Sequence, residues 1–190
     1  AKTLVTILDD AESEFPEVDA FTNFGVSITT KEVETRSKQF AAYLQNDLGM
    51  QKGDRLALMM PNLLQYPVAI FGALRAGLIV VNVNPLYTPR ELKHQLKDSG
   101  AKVIMIFENS AHVLDAVISE LEIEHVIVTK IGDFLGFPKG VLMNFAVKYL
   151  KKMVPPYKLP KAIKFKNTLT RPTEDFKEIP ISVNDIAFLQ

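Results

Sequence analysis

The side chains in this sequence that could do acid–base or metal chemistry are 22 Asp+Glu and three histidines, and none stands in a catalytic pattern. The three histidines, His94, His112 and His125, lack the further ligands at workable spacing that a zinc site needs. His94 has Glu91 and Asp98 about one helical turn away, and we interpret it as a surface histidine among carboxylates. The other two have no nucleophile beside them and receive the same interpretation.

The acidic residues near the start of the chain form the densest cluster of potential ligands. They are Asp9, Asp10, Glu12, Glu14, Glu17 and Asp19. The cluster lacks the glycine of a calcium-binding loop, and Leu4, Leu8 and Ala11 repeat beside it at helical spacing. The pattern therefore favours a solvated helix end over a cation site.

Motifs that hold nucleotide phosphates or activate a nucleophile are absent from the sequence. No two glycines stand as G-x-G, and the Walker, G-x-S-x-G and H-E-x-x-H patterns are missing. Cysteine is absent too, which excludes disulfides, thiolate nucleophiles and cysteine metal sites. We therefore predict no catalytic, cofactor-binding or metal-binding residue in these 190 residues.

The composition, 47% apolar and 23% charged, is typical of a globular protein. The apolar stretch from Leu56 to Val83 is interrupted by Pro61, Pro67 and Gly77, so we interpret it as buried core rather than a membrane span. The formal net charge of zero hides an asymmetry. Residues 1–133 carry 12 Lys+Arg against 18 Asp+Glu, residues 134–190 carry 10 against 4, and residues 134–173 have no acidic side chain.

The middle of the chain alternates short apolar runs with helical patterns, as β-α-β units do. The predicted strands are Leu56–Met60, Leu78–Val83, Val103–Phe107 and Val126–Thr129. They are apolar nearly throughout, as parallel strands covered on both faces are. We predict an α/β fold with a doubly wound, largely parallel sheet and helices on both faces. Its predicted core includes Leu58, Val80, Val81, Val103, Ile104, Ile106, Ile127 and Val128.

Start and stop signals support the same assignment. Thr88 and Glu91 form a predicted capping box with Pro89 at the first helical position and Gly100 as the stop, and Thr29 with Glu32 opens an earlier helix. Residues 20–29 read as a hairpin around Gly25. A further helix is predicted between the last two strands, with Leu114, Val117, Ile118 and Leu121 on one stripe.

After residue 130 the alternation of apolar runs and helical patterns stops, and a basic region rich in proline follows. We divide the chain into an α/β subdomain at 1–130, a Pro- and Lys-rich insertion at 131–180, and the start of another strand at 181–190. The apolar run from Ile186 to Gln190 stops in the middle of a predicted strand. We therefore expect the chain to be truncated where its next functional element begins.

Within the insertion, residues 141–154 predict a basic amphipathic helix. Its apolar arc is Leu142, Phe145, Ala146, Tyr149, Leu150 and Met153, and Asn144, Lys148, Lys151 and Lys152 gather opposite. Two interpretations are equally open. The helix lies on an anionic membrane through Phe145, Lys148, Tyr149, Lys151 and Lys152, or it packs on its own domain with solvated lysines.

Polar side chains also follow the predicted strands at their carboxyl ends, where open α/β sheets bind ligands. Asn82, Asn84 and Tyr87 are the predicted site-lining residues, with Asn62 after the preceding strand. Nucleic-acid binding is not expected, because the aromatic residues of the basic stretch are not interleaved as a stacking platform.

Residues 52–101 closely resemble bacterial long-chain fatty acid–CoA ligases of the adenylate-forming superfamily. The most specific matches are the runs KGDR at 52–55, MPN at 60–62, AG at 76–77 and NPLYTPREL at 84–92. Looser resemblance covers 20–49, 144–160 and 185–190, so it spans essentially the whole chain.

The resemblance implies two-step ligation: ATP and a long-chain fatty acid give an acyl-adenylate, and CoA then takes the acyl group. Partners and cofactors implied for the full-length enzyme are the fatty acid, ATP, Mg²⁺ and CoA, at a cytoplasmic location peripheral to the inner face of a membrane. In this family the phosphate-binding loop and the catalytic residues follow the strand that resembles 187–190. We therefore expect this fragment to be inactive alone and to belong to the large amino-terminal domain of such an enzyme.

The alternative is a stand-alone α/β binding or membrane-contact module without catalysis. The reading frame after Gln190 separates the two interpretations. A Gly/Thr-rich loop there favours the ligase, and a stop codon favours the module.

Overall fold

The computed structural model describes residues 2–190, and its first elements precede the main sheet. Helix α1 (Leu4–Glu14) leads into a hairpin of β1 (Asp19–Asn23) and β2 (Val26–Thr29), followed by helix α2 (Thr30–Asn46). The hairpin turn holds Phe24 and Gly25 at φ of 51° and 67°. A two-residue hairpin loop of this type requires such left-handed values, and the predicted hairpin is confirmed.

Six further strands form one parallel sheet. They are β3 (Arg55–Met59), β4 (Ile79–Asn82), β5 (Val103–Phe107), β6 (His125–Thr129), β7 (Ile163–Lys164) and β8 (Phe188–Leu189). Their order across the sheet is β7-β6-β5-β3-β4-β8, and every adjacent pair is parallel. The chain passes from β3 to β4 on one side and then to β5 on the other side of β3. The sheet is therefore doubly wound, as predicted.

Helices cover both faces of this sheet. They are α3 (Gln65–Arg75), α4 (Pro89–Ser99) and α5 (Ala111–Asp115), together with α2, whereas a further helix, α6 (Lys139–Phe145), lies in the segment after β6. Neighbouring side chains of a strand point to opposite faces, so Leu56 and Leu58 join one apolar cluster with α2 and α3, whereas Ala57 and Met59 join another with α4 and α5. All eight predicted core residues are buried.

The helix signals of the sequence are confirmed by their hydrogen bonds. The Thr29 hydroxyl accepts from the Glu32 N–H at 3.2 Å, and the Glu32 carboxylate accepts from the Thr29 N–H at 3.0 Å. Thr88 and Glu91 form the same reciprocal pair at the start of α4. Gly100 ends α4 at φ 61°, in the left-handed region that favours glycine.

The limits of three strands differ slightly from those predicted. Strands β3, β4 and β6 begin or end one residue from their predicted limits.

The single helix predicted through Leu114 and Leu121 is wrong, because α5 ends at Asp115 and a separate 3₁₀ turn covers Ile118–Glu120. The β-branched residues and serine at 117–119 have low helix propensity, while Leu114 and Val117 still become buried.

The helix predicted over 141–154 is also shorter and irregular. It consists of α6 and a π-helical turn, Ala146–Leu150, and Lys152 then takes φ 51°. The side chain of Asn144, which breaks the apolar pattern, accepts a hydrogen bond from the Gly132 N–H at 2.8 Å. This contact fixes α6 against the turn that follows β6.

The segment 131–180 also contributes to the core of the sheet. It supplies β7, and it supplies Phe165, which is fully buried. The Phe165 ring lies 5.2 Å from Phe40, edge to face, and 5.9 Å from Phe134, stacked. The division at 130 and 180 stays a prediction, but the middle segment is tied to the sheet by a strand and an aromatic cluster.

Candidate functional site

The carboxyl end of β4 places Asn82 between two helices. The Tyr66 hydroxyl of α3 donates to Asn82 Oδ1 at 2.7 Å, and the Gln95 side-chain amide of α4 donates to the Asn82 carbonyl at 2.9 Å. Burial raises the pKa of Tyr66 above its ordinary value. Asn82 therefore joins the helix layers on the two faces of the sheet at the carboxyl edge of its strands.

Asn84 and Tyr87 lie together in the turn that follows β4. Asn84 Oδ1 accepts from the Leu86 N–H at 3.0 Å, and the Asn84 carbonyl accepts from the Tyr87 N–H at 3.1 Å. Tyr87 is half-buried and packs on the cluster under α4, whereas Leu86 is 87% exposed. The turn thus brings the predicted residues to one edge of the sheet. Their role in lining a ligand site stays a prediction.

A mostly apolar groove of about 580 Å³ opens beside this edge, between the hairpin, α3 and β8. It is lined by Leu4, Phe21, Thr22, Asn23, Asn62, Leu63, Leu64, Tyr66, Pro67, Ile70, Phe71 and Phe188. The Asn23 side chain donates to the Asn62 carbonyl at 2.6 Å and closes one end. Asn62 therefore lines the groove, while Asn82, Asn84 and Tyr87 lie outside its lining.

The carboxyl ends of β5 and β6 carry a charged cluster that the sequence interpretation missed. Glu108 follows β5 directly and is 4% exposed. Its Oε1 accepts a hydrogen bond from the Tyr157 hydroxyl at 3.2 Å and lies 3.4 Å from Lys130 Nζ and 3.6 Å from Lys148 Nζ. Burial and the neighbouring Glu108 carboxylate raise the pKa of Tyr157 to about 12. One buried carboxylate thus joins three separate stretches of the chain.

A second set of hydrogen bonds fixes the end of β6 beside this cluster. The Gln65 side-chain amide donates to Thr129 Oγ1 at 3.1 Å and to the Lys130 carbonyl at 2.7 Å. Asp133 accepts from the Thr129 hydroxyl at 3.1 Å and from the Lys130 N–H at 2.8 Å. These bonds hold Lys130 in place next to Glu108.

Glu108 escaped the sequence interpretation because its partners are distant in the chain. A charged residue placed directly after an entirely apolar parallel strand was the available signal, since that position falls at the carboxyl edge of the sheet. Lys148 was assigned to a free lysine face, and only the folded chain brings it to Glu108.

The five residues predicted to contact a membrane divide into two groups. Phe145 and Tyr149 are 53% and 60% exposed, and Lys151 and Lys152 are exposed beside them. Lys148 instead turns inward to Glu108. The large side chains of the apolar arc therefore lie on the outside of the protein, and four of the five predicted residues are exposed.

The histidines and the acidic cluster form no common site. His94 is exposed on α4. Asp9, a member of the predicted solvated cluster, instead pairs with Arg75. The Arg75 side chain is 3% exposed, and its guanidinium also donates to the Ser37 hydroxyl at 2.9 Å. Across residues 2–190, no group of three or more His, Asp or Glu side chains is arranged to hold a metal ion. None of the helices in that same range is long and apolar enough to span a bilayer.

The parallel, doubly wound sheet with helices on both faces places the chain in the class of doubly wound α/β proteins. Residues 8–190 match the family described as AMP-binding enzyme, and the chain belongs to that family. The resemblance stated from the sequence motifs is confirmed.

Two sequence relatives and one solved structure show what the chain is similar to. The chain is 52% identical over 190 residues to a long-chain-fatty-acid–CoA ligase of Salmonella typhimurium, covering all of this chain and 34% of the relative. It is 53% identical over 189 residues to the same-named protein of Yersinia pestis, covering 99% and 34%. The fold of an anthranilate CoA ligase in complex with anthranoyl-AMP superposes with a TM-score of 0.77 at 18% identity, covering 97% and 31%. This chain spans about a third of the length of each.

Proposed function

We propose that this chain is the amino-terminal part of a long-chain fatty acid–CoA ligase, which activates a fatty acid with ATP as an acyl-adenylate and then transfers the acyl group to CoA. The observation that carries the proposal is the 52% identity to a ligase of that name along the entire chain. The enzyme's proposed partners are a long-chain fatty acid, ATP and CoA, with Mg²⁺ as the metal.

The residues of this chain do not themselves fit ATP or Mg²⁺. A triphosphate needs a loop of backbone N–H groups, and no glycine-rich loop is present. Magnesium needs clustered oxygen ligands, and the arrangement of carboxylates in residues 2–190 supplies none. We therefore assign no step of the reaction to these residues. Their proposed contribution is the sheet and the ordered edge around Asn82, on which the remaining two-thirds of a ligase of the relatives' length would build the site.

The test is an assay of pyrophosphate release with Mg²⁺, ATP and either oleate or benzoate. We expect no turnover from the 190-residue chain, and turnover with oleate from a protein extended to the relatives' length. Benzoate is the matched control for the acid, because it shares the carboxylate and lacks the long chain. Turnover by the short chain, or a preference of the extended protein for benzoate, would contradict the proposal.

A finer proposal concerns localisation: we infer that the protein is cytoplasmic and contacts the inner face of an anionic membrane. The support is the exposed apolar side of α6 and the π turn, where Val141, Leu142, Phe145, Tyr149 and Leu150 are each more than half exposed. Lys151 and Lys152 are exposed and directly follow Leu150 in the chain, and each lysine near an anionic surface contributes roughly 1 kcal/mol of attraction. An apolar patch with cationic neighbours fits an interfacial position.

Co-sedimentation with vesicles tests this inference. The double variant Lys151→Glu, Lys152→Glu should lose binding to vesicles containing phosphatidylglycerol, with neutral phosphatidylcholine vesicles as the lipid control. Lys97→Glu with Lys177→Glu makes the same charge change at two exposed lysines outside the segment, and we expect it to retain most of the binding. Equal losses from both double variants would reduce the effect to net charge and reject a specific contact surface.

The second candidate function is a stand-alone α/β binding or membrane-contact module. The exposed apolar side of α6 favours it, because that surface is available without any catalytic part. The coding sequence after Gln190 decides between the two. A Gly/Thr-rich loop there supports the ligase, and a stop codon supports the module.

A further inference from the structure

Residues 139–157, which we name the anchor segment, are attached to the rest of the protein by several polar contacts. Gly140 and Val147 are its buried residues within α6 and the π turn, and Asn144 hydrogen-bonds Gly132 between them. A surface helix ordinarily docks through its apolar stripe. Here the apolar stripe faces away, so little apolar area holds the segment in place.

Backbone contact supplies one part of the attachment. Gly132 and Gly140 approach so closely that a Cβ at either position would overlap the carbonyl oxygen of the other. The Lys139 ammonium also donates to the Phe24 carbonyl in the hairpin turn. These contacts fix the start of the segment but leave its second half, from Val147 onwards, to other interactions.

Glu108 holds that second half. Lys148 and Tyr157 come from the π turn and from the loop after it, and both converge on Glu108 Oε1. The Lys158 N–H donates to Asp115 at 2.9 Å just beyond. The Glu108 side chain is 6% exposed, and a carboxylate removed from water in this way requires partners that compensate its charge. Lys130 is the remaining cation at this site.

Lys148 ties the π turn to the sheet beside two exposed aromatic rings. Its ammonium is held at Glu108 Oε1, while the rings of Phe145 and Tyr149 are 53% and 60% exposed. The contact at Glu108 therefore acts together with the Asn144–Gly132 hydrogen bond and the Gly132–Gly140 contact, which hold the first half of the segment with its apolar side outward.

We infer that Glu108 is a positioning residue that anchors the second half of the segment and so helps to keep its apolar side facing outward. The anchoring stands independently of any ligand, whereas its use in presenting a membrane-contact surface rests on the proposed function. Three interactions at one buried oxygen carry this inference, and they link β5, β6 and the anchor segment.

Hydrogen–deuterium exchange of the 190-residue chain without lipid tests the anchoring. Lys148→Met removes the cation while keeping a similar aliphatic chain, and we expect exchange in peptides covering 146–157 to become at least about tenfold faster, with the strands β3 to β6 unchanged. Lys148→Arg should restore the slow exchange. Lys151→Met, at an exposed lysine of the same segment, is the matched control and should exchange like the parent chain.

Glu108→Gln gives the complementary measurement. It should accelerate the same peptides, and combining it with Lys148→Met should add less than the sum of the single effects, since both changes break one interaction. If Glu108→Gln unfolds the chain, Lys148→Met and Tyr157→Phe decide the question. Unchanged exchange of 146–157 in Lys148→Met overturns the inference.

Vesicle binding separates this inference from the membrane proposal. Faster exchange with unchanged binding to phosphatidylglycerol vesicles would uphold the anchor and reject its role in presenting the surface. Unchanged exchange with weakened binding would reject the anchor and leave the lysine as a lipid contact.

Discussion

The flanks of the sheet and the anchor segment place their apolar side chains in opposite directions. On the sheet, Leu92 and Leu96 of α4 are buried against Ile104 and Ile106. In the anchor segment, Leu142 and Phe145 are 64% and 53% exposed, while an amide, a lysine ammonium and a glycine face inward together with Val147. Both regions show helical apolar periodicity. Apolar periodicity therefore identifies one face of a helix, but the partner available across that face decides whether the face is buried.

The largest effect should come from the point where segment 131–180 enters the core. Phe165→Ala removes a fully buried ring packed against Phe40 and Phe134, and large-to-small changes of this kind cost about 3–5 kcal/mol. Urea denaturation followed by circular dichroism measures the loss. A change below about 1 kcal/mol would mean that the segment is only loosely attached to the sheet.

Ile104→Ala tests the sheet itself. Ile104 lies on β5 and is fully buried between neighbouring strands and α4. We expect the free energy of unfolding to fall by roughly 2–5 kcal/mol, measured in the same denaturation experiment. A loss under about 1 kcal/mol would contradict the placement of this strand at the centre of the core.

Gly140→Ala tests the docking of α6 through the sign of the change in the free energy of unfolding. In an exposed helix, alanine is more stable than glycine by roughly 0.5–1 kcal/mol. At residue 140 the new methyl group would overlap the Gly132 backbone, so we expect destabilisation of about 1–3 kcal/mol, as overpacking causes. Hydrogen exchange of residues 139–150 localises the effect. A stabilised variant would show that α6 does not dock through Gly140.

The smallest effect on stability should come from the exposed apolar side. Leu142→Ala should change the free energy of unfolding by less than about 0.5 kcal/mol, because the side chain is already solvated. The same change should weaken binding to phosphatidylglycerol vesicles. A loss comparable with that of Ile104→Ala would place Leu142 in a packed interface and remove the contrast between the two regions.

Much of the sheet could be predicted from the sequence because its signals are local. The capping boxes at Thr29 and Thr88 use residues three positions apart, and the strands around Val80 and Ile104 are continuous apolar runs between such signals. The carboxyl-edge position of Asn82 followed from the end of one such run. Its bonds to Tyr66 and Gln95 did not, since they join three elements.

Local patterns predicted the parallel α/β fold, the core of its strands, the helix starts and the family that the motif at residues 84–92 indicates. Contacts in the folded chain were needed to show that Phe165 belongs to the core, that Lys148 meets Glu108, and that the apolar side of α6 points outward. The two sets of features differ in the distance along the chain over which they act. Propensity, capping and periodicity act within a few residues, whereas a buried carboxylate, a glycine contact and an aromatic cluster depend on side chains that lie 8 to 125 positions apart.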